Sequence, residues 1–272
     1  MLFFVSYGCQ SVASGQHVEV DPEVHASPGD SVVLPCKAIA GGTELTRVSW
    51  TYEDGGDRIN IAVFHPTYGA SFPDSPLRGR VSFTQGTLED SSIEISNVKM
   101  SDEGLYTCEY AHYPSGNVQG TTKLIVQERP TSQPPTVTAG LSTSAVSRGP
   151  CMPIEMEVQA FPMGSVILRC NVLQAEALKV TQVTWLYEAK GGERASIAVF
   201  HPTFGQSFPD FPQFKGRLRF TQATLEESAI EITSMARSDE GKFICQFSTY
   251  PSGTLESTTT LTMRAPPIPC LQ

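Results

Sequence analysis

The chain has 272 residues, a formal net charge of −9 and 40% hydrophobic residues. That length suggests about two domains, and the apolar content supports packed cores and argues against disorder. With 19 Lys and Arg against 28 Asp and Glu and no basic run, nothing points to a nucleic-acid surface.

In chain order, Met1–Val5 is apolar and Ala13-Ser-Gly15 offers small residues, so residues 1–15 read as a truncated signal peptide. Seven cysteines fit an oxidising, extracellular compartment if they pair. No apolar run reaches the ~18 residues that span a bilayer, so the expectation is a secreted protein or a chain that stops before its anchor.

Residues 16–128 read as a first module of short alternating strands. Val32, Leu34 and Cys36 share one face, as do Val48, Trp50 and Tyr52, then Ile93 and Ile95, then Tyr106, Cys108 and Tyr110. Residues 129–153 are rich in Pro, Ser and Thr and read as an extended spacer. Residues 154–264 repeat the first module, and residues 265–272 start a stalk or tail. The duplication is plain in Ile61–Gly69 against Ile197–Gly205, where Ile-Ala-Val-Phe-His-Pro-Thr recurs. It returns in Ser101-Asp-Glu-Gly104 against Ser238-Asp-Glu-Gly241.

Cys36 and Cys108 are 72 residues apart with Trp50 between them; Cys170 and Cys245 are 75 apart with Trp185 between them. This pattern resembles the variable-type immunoglobulin sandwich, an all-β fold. The resemblance implies disulfides Cys36–Cys108 and Cys170–Cys245, each packed on its tryptophan. It also implies a corner hydroxyl bond from Tyr106, absent in the second module where Phe243 stands, and ion pairs Arg80–Asp102 and Arg217–Asp239. Cys9 falls in the expected signal. The pairing of Cys151 and Cys270 stays open between an intramolecular bridge, an intermolecular one and free thiols.

Three further motifs are more specific. The second module has Val180-Thr181-Gln182, Ala198 with Gly205, and Thr249-Tyr250-Pro251. The first has Ala62 with Gly69, but Leu45-Thr-Arg47 and His112-Tyr113-Pro114 at the other two places. Together and in order these motifs resemble the nectin and poliovirus-receptor family of adhesion molecules and immune-receptor ligands. The resemblance implies that front sheets pack face to face in trans, each loop tyrosine entering beside the partner's Ala…Gly segment. Small Ala and Gly would leave room there, and Tyr would bring a large, rigid contact. The implied partners are nectin-like or other immunoglobulin-superfamily surface proteins, including a second copy of this chain. His112 reads as a solvated loop side chain. His65 and His201 read as strand-surface residues.

The five histidines show no metal-ligand spacing, and no phosphate loop or nucleophile elbow appears, so neither an enzyme nor a cofactor is expected. The other function weighed is a secreted tandem-module immune-recognition protein that binds carbohydrate or microbial surfaces.

Overall fold

Alternation of apolar and polar residues lets a strand bury one face and solvate the other, and two such sheets close a core between them. A computed structural model describes residues 17–39, 44–54, 56–128, 151–153, 156–172 and 178–264. The expected signal peptide, Cys9, the tail with Cys270 and most of the spacer lie outside them. Among the described residues no helix is long and apolar enough to cross a membrane.

The first module runs β1 (His17–Glu19), β2 (Glu23–Ala26), β3 (Val32–Leu34), β4 (Lys37–Ile39), β5 (Glu44–Asp54), β6 (Asp57–His65), β7 (Gly69–Ser71), β8 (Val81–Phe83), β9 (Ile93–Ile95), β10 (Gly104–Tyr113) and β11 (Gly116–Val126). Its front sheet has the order β2-β11-β10-β5-β6-β7 and its back sheet β3-β9-β8. β1 pairs separately with β4.

The second module runs β12 (Cys151–Pro153), β13 (Glu157–Ala160), β14 (Val166–Val172), β15 (Lys179–Glu188), β16 (Arg194–His201), β17 (Gly205–Ser207), β18 (Leu218–Ala223), β19 (Glu227–Ile232), β20 (Gly241–Tyr250) and β21 (Gly253–Met263). Its front sheet is β13-β21-β20-β15-β16-β17 and its back sheet β12-β14-β19-β18. The all-β tandem of variable-type sandwiches is therefore the observed fold. One detail differs: Cys151–Pro153, expected in the spacer, pairs with β14 in the register Cys151↔Val172.

Both disulfides form, each with Cα atoms 6.6 Å apart. Trp50 and Trp185 are fully buried. Their ring N–H groups donate to Ser91 O (2.8 Å) and Ser228 Oγ (2.9 Å), so neither core leaves an indole donor unpaired. Arg80 grips Asp102 through both guanidinium nitrogens (2.6 and 2.8 Å), and Arg217 grips Asp239 likewise (2.9 Å each). Burial pushes the Asp239 carboxyl up, but bonds from Arg217, the Ala236 N–H and Gln213 outweigh it and hold the group below the usual carboxylate range.

Tyr106 donates its hydroxyl to Asp102 O at 2.7 Å in a fully buried corner. Phe243 occupies the same place in the second module without that bond. The Tyr106→Phe variant should lose about 1 kcal/mol of first-module stability. Urea unfolding followed by tryptophan fluorescence checks this, and an unchanged midpoint would refute a contributing corner bond.

Candidate functional site: the seam between the two front sheets

The front sheets of the two modules face each other within one chain, and their contacts come in reciprocal pairs. Tyr113, at the end of β10, donates its hydroxyl to Phe204 O (2.9 Å) in the turn between β16 and β17. Tyr250, at the end of β20, donates to Tyr68 O (3.1 Å) in the corresponding turn of the first module. The rings follow: Tyr113 stacks on Phe204 at 5.1 Å, and Tyr250 lies against Tyr68 at 5.2 Å. Both Tyr-Pro bonds, before Pro114 and Pro251, are cis.

The receiving turns are themselves alike. His65 stacks on Tyr68 and His201 on Phe204, each at 4.6 Å. The Thr67 N–H donates to His65 Nδ1 (3.1 Å), and the Thr203 N–H donates to His201 Nδ1 (3.2 Å). These histidines thus close the turns that present the acceptor carbonyls. They are not merely surface residues of a strand.

Deeper in the seam, Arg47 on β5 donates to Thr249 O (3.3 Å), and Gln182 on β15 donates to His112 O (3.3 Å). Gln182 also accepts from Thr46 (3.3 Å) and donates to Thr184 (3.2 Å). Asn117 donates to Gln246 (3.0 Å), and Thr254 donates to Glu109. Arg47 adds a bond to Thr254 Oγ1 (2.5 Å) and an ion pair to Glu109 (3.4 Å).

Arg47 is fully buried, and that desolvation pulls its guanidinium down to about 10, with Glu109 opposing the shift. A buried charge of this kind is tolerated only with partners around it. The substitution of Arg for Gln in the first module, read from sequence as a departure from the motif, is the electrostatic centre of the seam.

Two glycines set how closely the sheets approach. A Cβ on Gly116 would lie 2.1 Å from Ser196 Oγ, and one on Gly253 would lie 2.1 Å from Asn60 Oδ1, each in the opposite module. Both glycines also have positive φ, +89° and +83°, at the turn into the last strand.

Several sequence expectations are placed differently. Ala62 and Ala198 pair with Trp50 and Trp185 and belong to the cores of their own modules. They are small for that packing, and the tyrosines land on Tyr68 and Phe204, within the Ala62…Gly69 and Ala198…Gly205 segments. Gly69 and Gly205 have positive φ, and nothing lies within 4 Å of an added Cβ, so their role is to close the turn. His112 is buried, not solvated, and burial lowers its pKa to about 4. Val180 packs partly on the second core, and Thr181 bonds Ser248 O within its own module (3.1 Å). Thr249 ties its loop by donating to Gly253 O (2.6 Å).

Sequence reasoning missed Arg47, Glu109, Asn117, Gln246, Thr254 and the two glycines as seam residues. The recurrence of Tyr-Pro-Ser-Gly at 113–116 and 250–253 was the one visible signal for the glycines.

The Immunoglobulin V-set domain family matches residues 19–127 and again 155–264. The chain belongs to the immunoglobulin V-set family. Within it, the chain is 34% identical to mouse nectin-2 over 158 residues, covering 54% of this chain and 28% of that protein. Human nectin-2 is 36% identical over 148 residues, covering 49% of this chain and 27% of the relative. The bovine T-cell surface protein tactile is 27% identical over 255 residues, covering 91% of this chain and 39% of that protein. The chain thus spans under a third of the nectin-2 relatives' length. This likeness agrees with the nectin-like motifs read from the sequence.

Two outcomes follow from the geometry. Gly253→Ala should open the seam and raise the radius of gyration in solution scattering. Gly69→Ala, strained by the same sign of φ but facing open space, should lower the melting temperature and leave the closed dimensions unchanged. Equal scattering from both variants would refute a close-approach role for Gly253.

The second outcome concerns pH. Burial lowers His65 and His112 to about 4, with the charges of Arg47 and His201 adding to the effect on His65; burial also lowers His201. A histidine depressed below its unfolded value near 6.5 stabilises the folded state above that value, and the contribution is lost as pH falls toward 4. At pH 5 the loss for His112 is about 2 kcal/mol. Melting temperatures measured between pH 7 and pH 5 should fall, and a His65→Gln/His112→Gln variant should lose most of that slope.

Proposed function

We propose that this protein is an extracellular adhesion and immune-receptor ligand, at the cell surface or shed. It binds nectin-like V-set domains through its front sheets, with Tyr113 or Tyr250 seated on the partner's turn between the strands equivalent to β6 and β7. The observation that carries this reading is the reciprocal seam itself. Two V-set modules of this chain pair through the faces and loop tyrosines that the nectin-like motifs mark. A face that packs against one nectin-like module has the shape and hydrogen-bond pattern to pack against another.

The partners this reading implies are nectin-like or other immunoglobulin-superfamily surface proteins, including a second copy of the chain. In the closed chain both tyrosines are already seated, so an outside domain competes with an inside one at a high effective concentration. Binding in trans then exchanges one V-set partner for another of the same kind.

The test is surface plasmon resonance of the full chain over immobilised nectin-like V-set domains, read beside thermal melting. A buried interface tyrosine commonly contributes ~2 kcal/mol or more. The Tyr113→Ala/Tyr250→Ala variant should therefore bind at least about tenfold more weakly while each module keeps its melting transition. Undiminished binding in that variant would overturn the proposed contact.

A further inference from the structure

The two halves of the seam are alike in geometry but not in chemistry. At the place where the first module has Arg47, the second has Gln182, and each donates across to a backbone carbonyl at 3.3 Å. Where the first has Glu109, the second has Gln246; where the first has Asn117, the second has Thr254. At the start of the same strand the first has Glu44 and the second Lys179, whose ammonium sits 4.4 Å from the centre of the Tyr68 ring.

Three pairings of such faces can be compared. The observed pairing of first with second module buries one guanidinium, whose terminal nitrogens bond Thr249 O, Thr254 and Glu109, and sets Lys179 on Tyr68. Pairing two first modules would bury two guanidiniums across the same seam, each with only the Glu109 of its own module as counter-charge. Each would lose the Thr254 hydroxyl, because Asn117 stands there. Glu44 would replace Lys179 over the electron-rich face of Tyr68, turning a cation–π attraction into a repulsion. Pairing two second modules would bury no guanidinium at all.

We infer that the front face of the first module is built to refuse a second copy of itself and to take a V-set module bearing Gln at the Gln182 place and Lys at the Lys179 place. The chain's own second module is one such partner, and the second module of another copy is an equivalent one. Arg47 and Lys179 are the specificity-determining residues. The inference rests on front-sheet pairing as the mode of recognition, but it concerns the choice between modules of this chain and needs no outside partner.

The experiment is photo-crosslinking of the full chain with p-benzoylphenylalanine in place of Tyr68, on an equal mixture of ¹⁴N- and ¹⁵N-labelled copies, read by peptide mass spectrometry. Adducts are expected on Lys179 and the Tyr250–Gly253 loop, whether within a chain or between chains. Adducts on Glu44 or the Tyr113–Gly116 loop at comparable yield, or no adduct on either module, would overturn the inference.

In the second arm, Arg47→Gln should raise the Tyr113–Gly116 adduct between copies about tenfold, a change of about 1.4 kcal/mol. An unchanged adduct pattern in Arg47→Gln would overturn the assignment to Arg47. The trans-binding measurement has a separate readout, so failure of either reading is distinguishable from failure of the other.

Discussion

The burial of the Arg47 guanidinium between two sheets is the constraint on which the seam depends. A guanidinium removed from water needs partners, and Thr249 O, Thr254 and Glu109 supply them to its two terminal nitrogens from both modules. Those acceptors are in reach only because β21 approaches β5 and β6 while β11 approaches β15 and β16. That approach is possible only where Gly116 and Gly253 have no side chain. The tyrosines at the ends of β10 and β20 then have one place to go, the opposite turn. Charge, backbone approach and loop aromatics form one coupled arrangement.

The two copies divide the work unequally. The first module keeps the tyrosine corner, with Tyr106 bonded to Asp102 O, and carries the buried charge. The second has Phe243 at the corner and a neutral Gln182 at the seam, with Lys179 reaching Tyr68. Duplicated modules that stayed identical would pair as readily with themselves as with each other. Substitutions at a few central positions change that balance without altering the sandwich, because strand registers and cores lie behind the sheet and do not face the seam.

The motif residues have physical roles that their positions explain. Ala62 and Ala198 admit the core tryptophans beside them, and Gly69 and Gly205 adopt the positive φ that turns the chain. Together they shape the turn on which a tyrosine lands without touching it directly. His65 and His201 complete that turn by accepting a backbone N–H at Nδ1, a bond that requires this nitrogen unprotonated.

Much of the protein was legible in the order of its residues. Period-two alternation and the Cys…Trp…Cys spacing specify two sandwiches, because a strand's inward face and a disulfide-packed indole are local requirements. The repeated loop tyrosines, read through the family resemblance, lie on the face where the two modules meet. The tertiary structure alone decided what that face meets. The Arg47 environment is assembled from residues some 60 to 200 positions apart, and no spacing along the chain reveals a carbonyl at Thr249 waiting for it. Likewise His112 lies in a loop-like stretch yet is buried, and Ala62 lies in a binding motif yet faces its own core. Side-chain direction at a sheet edge depends on bulges and on the opposing module, and both are properties of the folded chain rather than of its sequence pattern.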